Sequence, residues 1–266
     1  MRAHAGCEQV VLGIDAAWTT KNPSGVALIA GTGSTWRLCA SSESYSAFTG
    51  LPAVREQSWP ASLLRSAEER AGQRVDLVTI DMPLAHGPIV ARRMSDDAVS
   101  GQYGARWCGT HSPNAERPGA ISDNLTRDFA TEGYLLKTRT LETPAVIEVY
   151  PHPALLELMS APMRLPYKVG KQKTYWKEAS PAERRQRLVE QWTAIVDVID
   201  MRIAGVRTGL EIPLADAPTR TLKSFEDQLD AIICAWVGAC ALTGHARPWG
   251  DNHSAIWIPL SGLGPG

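Results

Sequence analysis

The sequence predicts an α/β fold: a small antiparallel meander, then a strand buried on both faces, then a long amphipathic helix near the end. Three observations point to it. Residues 10–43 hold three strand-like segments separated by short turns. Residues 75–81 are apolar at nearly every position. Leu229, Ile232, Ile233, Trp236 and Cys240 recur at three- and four-residue spacing.

The first strand is expected over residues 10–18, the second from Pro23 to Gly31 and the third from Thr35 to Glu43. Gly31-Thr32-Gly33-Ser34 is a turn. Residues 53–71 have helix composition, with Leu63, Leu64 and Ala67 on one side and Arg65, Glu68, Glu69 and Arg70 around them. Val75 to Asp81 then reads as a parallel strand covered on both sides. Residues 85–144 break the pattern. Rich in Gly and Pro and without clear period, they are too long for a plain loop and read as an insertion or lid with short helices. Deleting them is expected to spare the fold.

Ala145 to Tyr150 is another strand, ended by Pro151-His152-Pro153, and residues 154–160 suit a short helix. Ser180-Pro181-Ala182-Glu183 starts a helix running to about residue 200, with Ser at the cap, Pro in the first turn and Glu three residues on. Ser224 is expected to cap the last long helix, which ends near Thr243 with Gly244 as its stop. Ala255 to Pro259 makes a final short strand. With no repeat and no linker, the organisation expected is one domain over residues 8–260, carrying the insertion 85–144.

Bulk properties limit the function. At 266 residues and 44% hydrophobic, the chain can bury a full core. A net charge of -1 gives no global pull towards nucleic acid or an anionic membrane, so any polyanion contact must come from a local patch. The five cysteines (Cys7, Cys39, Cys108, Cys234 and Cys240) are scattered and lack C-x-x-C spacing, so a reduced, cytoplasmic protein is expected. The short polar start is no signal peptide, and no stretch suits a membrane span.

The chemistry resides in the acids. Asp15 closes Val10-Val11-Leu12-Gly13-Ile14, and Asp81 closes the apolar run from Val75. Asp227 and Asp230 lie one turn apart on the flank of the last helix, and Glu226 could share their task. Carboxylates gathered at buried strand ends repel one another unless a cation lies between them, and a divalent ion with oxygen ligands is the usual solution. Two such ions about 4 Å apart support phosphodiester cleavage. Plainer roles remain open: Asp15 as a strand terminator, Asp81 as a turn residue before Met82-Pro83, Asp227 as a first-turn acid favoured by the helix dipole. Asp230 is harder to explain away, because a charge beside an apolar stripe needs a partner. Glu148, inside the Val146–Tyr150 strand, is either an edge residue facing water or a further ligand or base.

The segment from Arg164 to Arg187 is a local basic patch. It holds Lys168, Lys171, Lys173, Lys177, Arg184 and Arg185 among interleaved Tyr167, Tyr175 and Trp176. Such a mixture suits a phosphate backbone and stacked bases, or equally a solvated helix face. The histidines have no H-x-x-x-H spacing for zinc, and neither a phosphate-binding G-x-x-x-x-G-K-[ST] loop nor a G-x-S-x-G elbow is present.

The succession Gly13-Ile14-Asp15, meander, Ile80-Asp81-Met82-Pro83, Glu148-Val149-Tyr150-Pro151 and Glu226-Asp227-Gln228-Leu229-Asp230-Ala231 resembles the predicted nucleases with a ribonuclease H-like fold, a family catalogued as domain of unknown function 429. The resemblance spans about residues 10 to 260. It implies a five-stranded mixed sheet of order 3-2-1-4-5, helices on both faces, and Mg²⁺ or Mn²⁺ as cofactor. Carried over, Asp15 is the first-strand carboxylate and Asp81 the fourth-strand one. Asp227 and Asp230 match the helical acids of Holliday-junction-resolvase-like members. Lys171 and Lys173 sit where such sequences carry lysines before a Pro-initiated helix. One departure is the Asp at position 81, where many such nucleases carry Glu.

The expectation is therefore a metal-dependent nuclease acting on DNA or RNA. Its metal ligands are Asp15, Asp81, Asp227 and Asp230, supported by Glu148, with Lys171, Lys173, Lys177 and Arg184 on the substrate. A phosphotransferase of the actin and sugar-kinase superfamily and a non-catalytic binding module are the competing readings.

Overall fold

The computed structural model describes residues 8–19, 21–52 and 58–261. Strands β1 (Gln9–Asp15), β2 (Gly25–Thr32) and β3 (Thr35–Ser42) form the expected antiparallel meander, followed by helices α1 (Tyr45–Thr49) and α2 (Pro60–Ala71). Residues 53–57 of the expected helix lie outside the described residues. Strand β4 (Leu77–Ile80) is parallel to β1. Then come α3 (Met94–Tyr103), α4 (Ala120–Thr131), β5 (Leu135–Leu136), β6 (Ala145–Val149) and α5 (Pro151–Met159). The rest is α6 (Gln172–Tyr175), α7 (Pro181–Asp200), β7 (Ile203–Ala204), α8 (Val206–Gly209), α9 (Thr219–Leu242), β8 (Ala246–Gly250) and β9 (Ala255–Pro259).

These strands form one mixed sheet of nine, in the order β7-β3-β2-β1-β4-β6-β9-β8, with β5 paired to β6. The expected five strands thus undercount it. The sheet gains the β8–β9 hairpin beside β6 and the two-residue strands β5 and β7, which are too short to leave a period in the sequence.

Alternate residues of the central strands feed two cores. Val11, Ala27, Ile29, Leu77 and Ile147 pack under α5, α7 and α9, whereas Val10, Leu12, Ile14, Val78, Ile80 and Val146 pack under α1, α2 and α4. Both faces are therefore dry, which is why β1, β4 and β6 read as continuous apolar runs.

Three boundaries move for local reasons. Helix α9 begins at Thr219, after Pro218, and not at Ser224. Leu222 and Phe225 are buried and extend its apolar stripe by a turn. Helix α5 begins at Pro151 and not at residue 154. Proline lacks only an N–H that the first helical turn leaves unpaired anyway, so Pro151 starts the helix as well as ending the strand. Strand β1 stops at Asp15, short of residue 18. Helix α7 has the expected capping box, with Ser180 and Glu183 each bonding the other's backbone N–H at 3.3 and 2.7 Å.

Residues 85–144 are sewn into the domain. Phe129, Tyr134 and Leu136 belong to the core under α2, and the Tyr134 hydroxyl donates to the Val75 carbonyl at 2.7 Å. Val99, Tyr103 and Cys108 pack with Ile256 and Ile258 of β9. Removing this segment would therefore uncover the core under α2 and the cluster against β9.

Helix α9 lies against β1 at backbone contact distance. A Cβ on Gly13 would stand 2.3 Å from the Ala231 carbonyl oxygen and 2.5 Å from the Ala235 nitrogen. Gly13→Ala should therefore push α9 off the sheet and lower stability by at least ~2 kcal/mol. Gly101→Ala, at an open position within α3, should be neutral or gain up to ~1 kcal/mol. Urea unfolding of the two variants checks the contrast.

Candidate active site

Parallel pairing of β1 with β4 sets Ile14 opposite Ile80, so Asp15 and Asp81 follow side by side at the two strand ends. The Asp81 N–H donates to the Ile14 carbonyl at 2.9 Å, fixing that level. On the other side of β1, Asp15 faces Gly25. A Cβ there would meet the Asp227 carbonyl oxygen at 2.1 Å. The bare glycine is what lets the acidic turn of α9 come down beside Asp15. The fold thus brings four distant acids together: Asp15, Asp81 and Asp227 line a cavity of about 700 Å³, and Asp230 is buried behind them.

The four are not equivalent. Asp230, fully buried, accepts from the Tyr167 hydroxyl at 2.8 Å and from the Lys168 ammonium. Lys168 also stands 3.6 Å from Glu226, whose other oxygen accepts from the Val169 N–H at 2.5 Å. Lys223 bridges Glu226 and Asp227 at 2.6 Å each. By contrast, the carboxylates of Asp15 and Asp81 have no hydrogen bond or ion pair among the described residues. Burial pushes the Asp15 carboxyl well above the usual range, Asp230 adding to the push and Lys168 opposing it. Burial likewise raises Asp81 to about 7, against the pull of Lys168. Lys168 stays protonated well above the ordinary lysine value: burial disfavours its charge, and Asp230, Tyr167, Glu226 and Asp15 outweigh that.

As a metal centre the expected set divides in two. Among the described residues no three His, Cys, Asp or Glu side chains are grouped as a ligand set. Asp227 and Asp230 are already matched by lysines. Asp15 and Asp81 fit a cation that draws its remaining ligands from water and substrate, as Mg²⁺ commonly does.

Glu148 lines the same cavity in a buried clamp. It meets the two Arg93 Nη groups at 2.6 and 2.8 Å and accepts from the Leu84 N–H at 2.8 Å. Arg93 in turn holds Asp96 at 2.9 Å. Burial pushes the Glu148 carboxyl up to about 7 while Arg93 pulls it back. With its oxygens spent on Arg93 and Leu84, Glu148 anchors the 85–144 segment to β6.

The expected substrate-binding cations also divide. Lys171 lines the cavity. Arg184 is spent on the carbonyls of Trp176 and Lys177, both at 2.9 Å, and exposed Lys173 and Lys177 lie outside the lining. Elsewhere in the lining, Trp18 meets His111 edge-on at 6.0 Å, and the Arg117 guanidinium sits 5.6 Å over the Trp18 ring. Sequence reasoning missed the weight of Lys168, although it is the one charged residue in Leu165-Pro166-Tyr167-Lys168-Val169. It also missed Lys223, whose three- and four-residue spacing to Glu226 and Asp227 on α9 was legible. Arg93, in a stretch without period, left no such signal.

A family model matches residues 13–255, which takes in every acid of the site. The chain belongs to the family described as protein of unknown function (DUF429). No curated protein and no solved structure matches it. In this DUF429 chain no helix among the described residues is long and apolar enough to cross a membrane. Cys39, Cys108, Cys234 and Cys240 are free thiols.

Two outcomes follow. Arg93→Met, which strands two buried carboxylates, should cost 3–5 kcal/mol, to be read from urea unfolding (roughly the loss from breaking a buried pair). Burial raises the Asp81 carboxyl to about 7 in the folded chain, against about 4 when unfolded. Between those values the folded chain keeps a proton that the unfolded chain has lost, so its contribution falls as pH rises through that window. In chelator, Asp81→Asn should therefore be more stable than the native chain above pH 7, by roughly 1–3 kcal/mol, with the gap closing towards pH 4.

Proposed function

We propose that this chain hydrolyses phosphate esters, with nucleic-acid phosphodiesters as the leading substrate, using Mg²⁺ or Mn²⁺ held by Asp15 and Asp81. The observation that carries this reading is the unpartnered state of those two carboxylates, at the floor of a cavity whose other acids are each matched by a lysine or arginine. Two desolvated carboxylates side by side are costly unless a cation joins them.

The residues then take distinct roles. Asp15 and Asp81 hold the ion. When bound, it polarises a phosphoryl oxygen and makes a water more acidic. Lys168 offsets the charge of Asp230 and Glu226, so that the floor does not repel an incoming phosphate. Lys223 does the same for Asp227. Arg93 and Glu148 fix the cavity wall. Lys171 stands ready for substrate oxygens.

A ribonuclease H-like core is the finer reading of the sheet. The run β3-β2-β1-β4-β6, with an antiparallel meander and carboxylates ending β1 and β4, supports it. The cavity volume also suits a small phosphorylated molecule, the substrate class of the phosphotransferase alternative.

The test is cleavage of supercoiled DNA and of single-stranded RNA with Mg²⁺ or Mn²⁺. Expected is metal-dependent cleavage that Asp15→Asn abolishes. The metal should also raise the melting temperature of the native chain, by an amount worth about 2.7 kcal/mol at a hundredfold excess over Kd, and leave the Asp15→Asn/Asp81→Asn double variant unmoved. Absence of both effects would sink the proposal, and ATP-dependent phosphorylation of a small molecule would favour the alternative.

A further inference from the structure

The cations of this cavity divide as its acids do. Lys168, Lys223 and Arg93 are paired, whereas Arg117, Arg164 and Lys171 have no carboxylate partner among the described residues. Arg164 is set in place by its backbone, whose N–H donates to the Arg106 carbonyl at 2.9 Å. Its Nη2 lies 2.5 Å from Nε2 of His152. Arginine can only donate, so that imidazole nitrogen accepts and the ring proton belongs on Nδ1.

His152 is 8 % exposed, and its Nδ1 has no partner. Nor has the buried Nε of Arg164. Two donor groups hidden from water have nothing to bond, although buried donors are normally satisfied. His111 lies among the same cations: burial, then Arg117, Arg164 and Lys171, hold its pKa below the ordinary histidine value. The wall therefore has an excess of positive charge, with unsatisfied donors buried directly behind it. The edge of a guanidinium is shaped to grip two oxygens at once.

We propose that Arg164, His152, Lys171 and Arg117 form an anion subsite that takes a phosphate group. That this phosphate belongs to the substrate hydrolysed at Asp15 and Asp81 rests on the function proposed above. That an oxyanion binds here does not. A phosphate suits the wall because its several oxygens can accept from guanidinium, imidazole and ammonium together. The group is either a terminal phosphate or a bridging one within a strand.

Calorimetric titration in chelator separates the possibilities, with inorganic phosphate, a short terminally phosphorylated oligonucleotide and its dephosphorylated twin as probes. Inorganic phosphate should bind one-to-one. Arg164→Gln should weaken it about tenfold or more, and Arg164→Lys less. Arg65→Gln, at an exposed position of α2, should bind as the native chain does. If Arg164→Gln fails to fold, exposed Lys171→Gln carries the same expectation. Preference for the phosphorylated oligonucleotide assigns a terminal phosphate. Equal binding of the twins, still lost in Arg164→Gln, assigns a bridging one. Native affinity in a folded Arg164→Gln or Lys171→Gln chain, or no phosphate binding by the native chain, overturns the subsite. Phosphate binding without any hydrolysis would remove the catalytic reading and leave the subsite standing.

Discussion

The close seam between α9 and the β1–β2 pair is the constraint on which the site depends. Without side chains at Gly13 and Gly25, the helix backbone reaches the sheet backbone, and the acidic turn of α9 arrives beside the end of β1. Any bulk at either position would hold Asp227 and Asp230 away from Asp15. The seam also buries Asp230 fully, so its charge must be answered locally. Tyr167 and Lys168, on the loop before α6, give that answer. One packing contact thus dictates a helix position, a buried acid and the place of a loop.

The charge pattern follows as a consequence. Seven ionisable groups — Asp15, Asp81, Glu226, Asp227, Asp230, Lys168 and Lys223 — share a small volume. A cluster of that kind persists only when nearly every member is paired. Two members stay unpaired, and they are the two that sit on neighbouring parallel strands and not on α9. The helix brings its own lysine, Lys223, one turn before the acids. A strand has no equivalent, because its neighbours in sequence point to the opposite face. The bare pair is therefore a product of topology as much as of composition.

Much of this was legible in the chain. Apolar runs ended by Asp15 and Asp81 marked the central strands, Ser180-Pro181-Ala182-Glu183 marked α7, and the stripe from Leu229 to Cys240 marked α9. The convergence of those acids on one cavity could be argued from strand ends and helix flank alone. What sequence could not convey was pairing between distant side chains. Arg93 with Glu148, and Lys168 with Asp230, are 55 and 62 residues apart, and no local period records them. The two-residue strands β5 and β7 and strand β8 escaped for a related reason, since their existence depends on an edge to pair with. Pro151 misled because proline both closes a strand and opens a helix.

The Arg93–Glu148 clamp has one more implication. A wall riveted to a central strand through a bidentate guanidinium, with aromatic side chains driven into two cores behind it, does not swing. The chamber accordingly keeps its dimensions between visits.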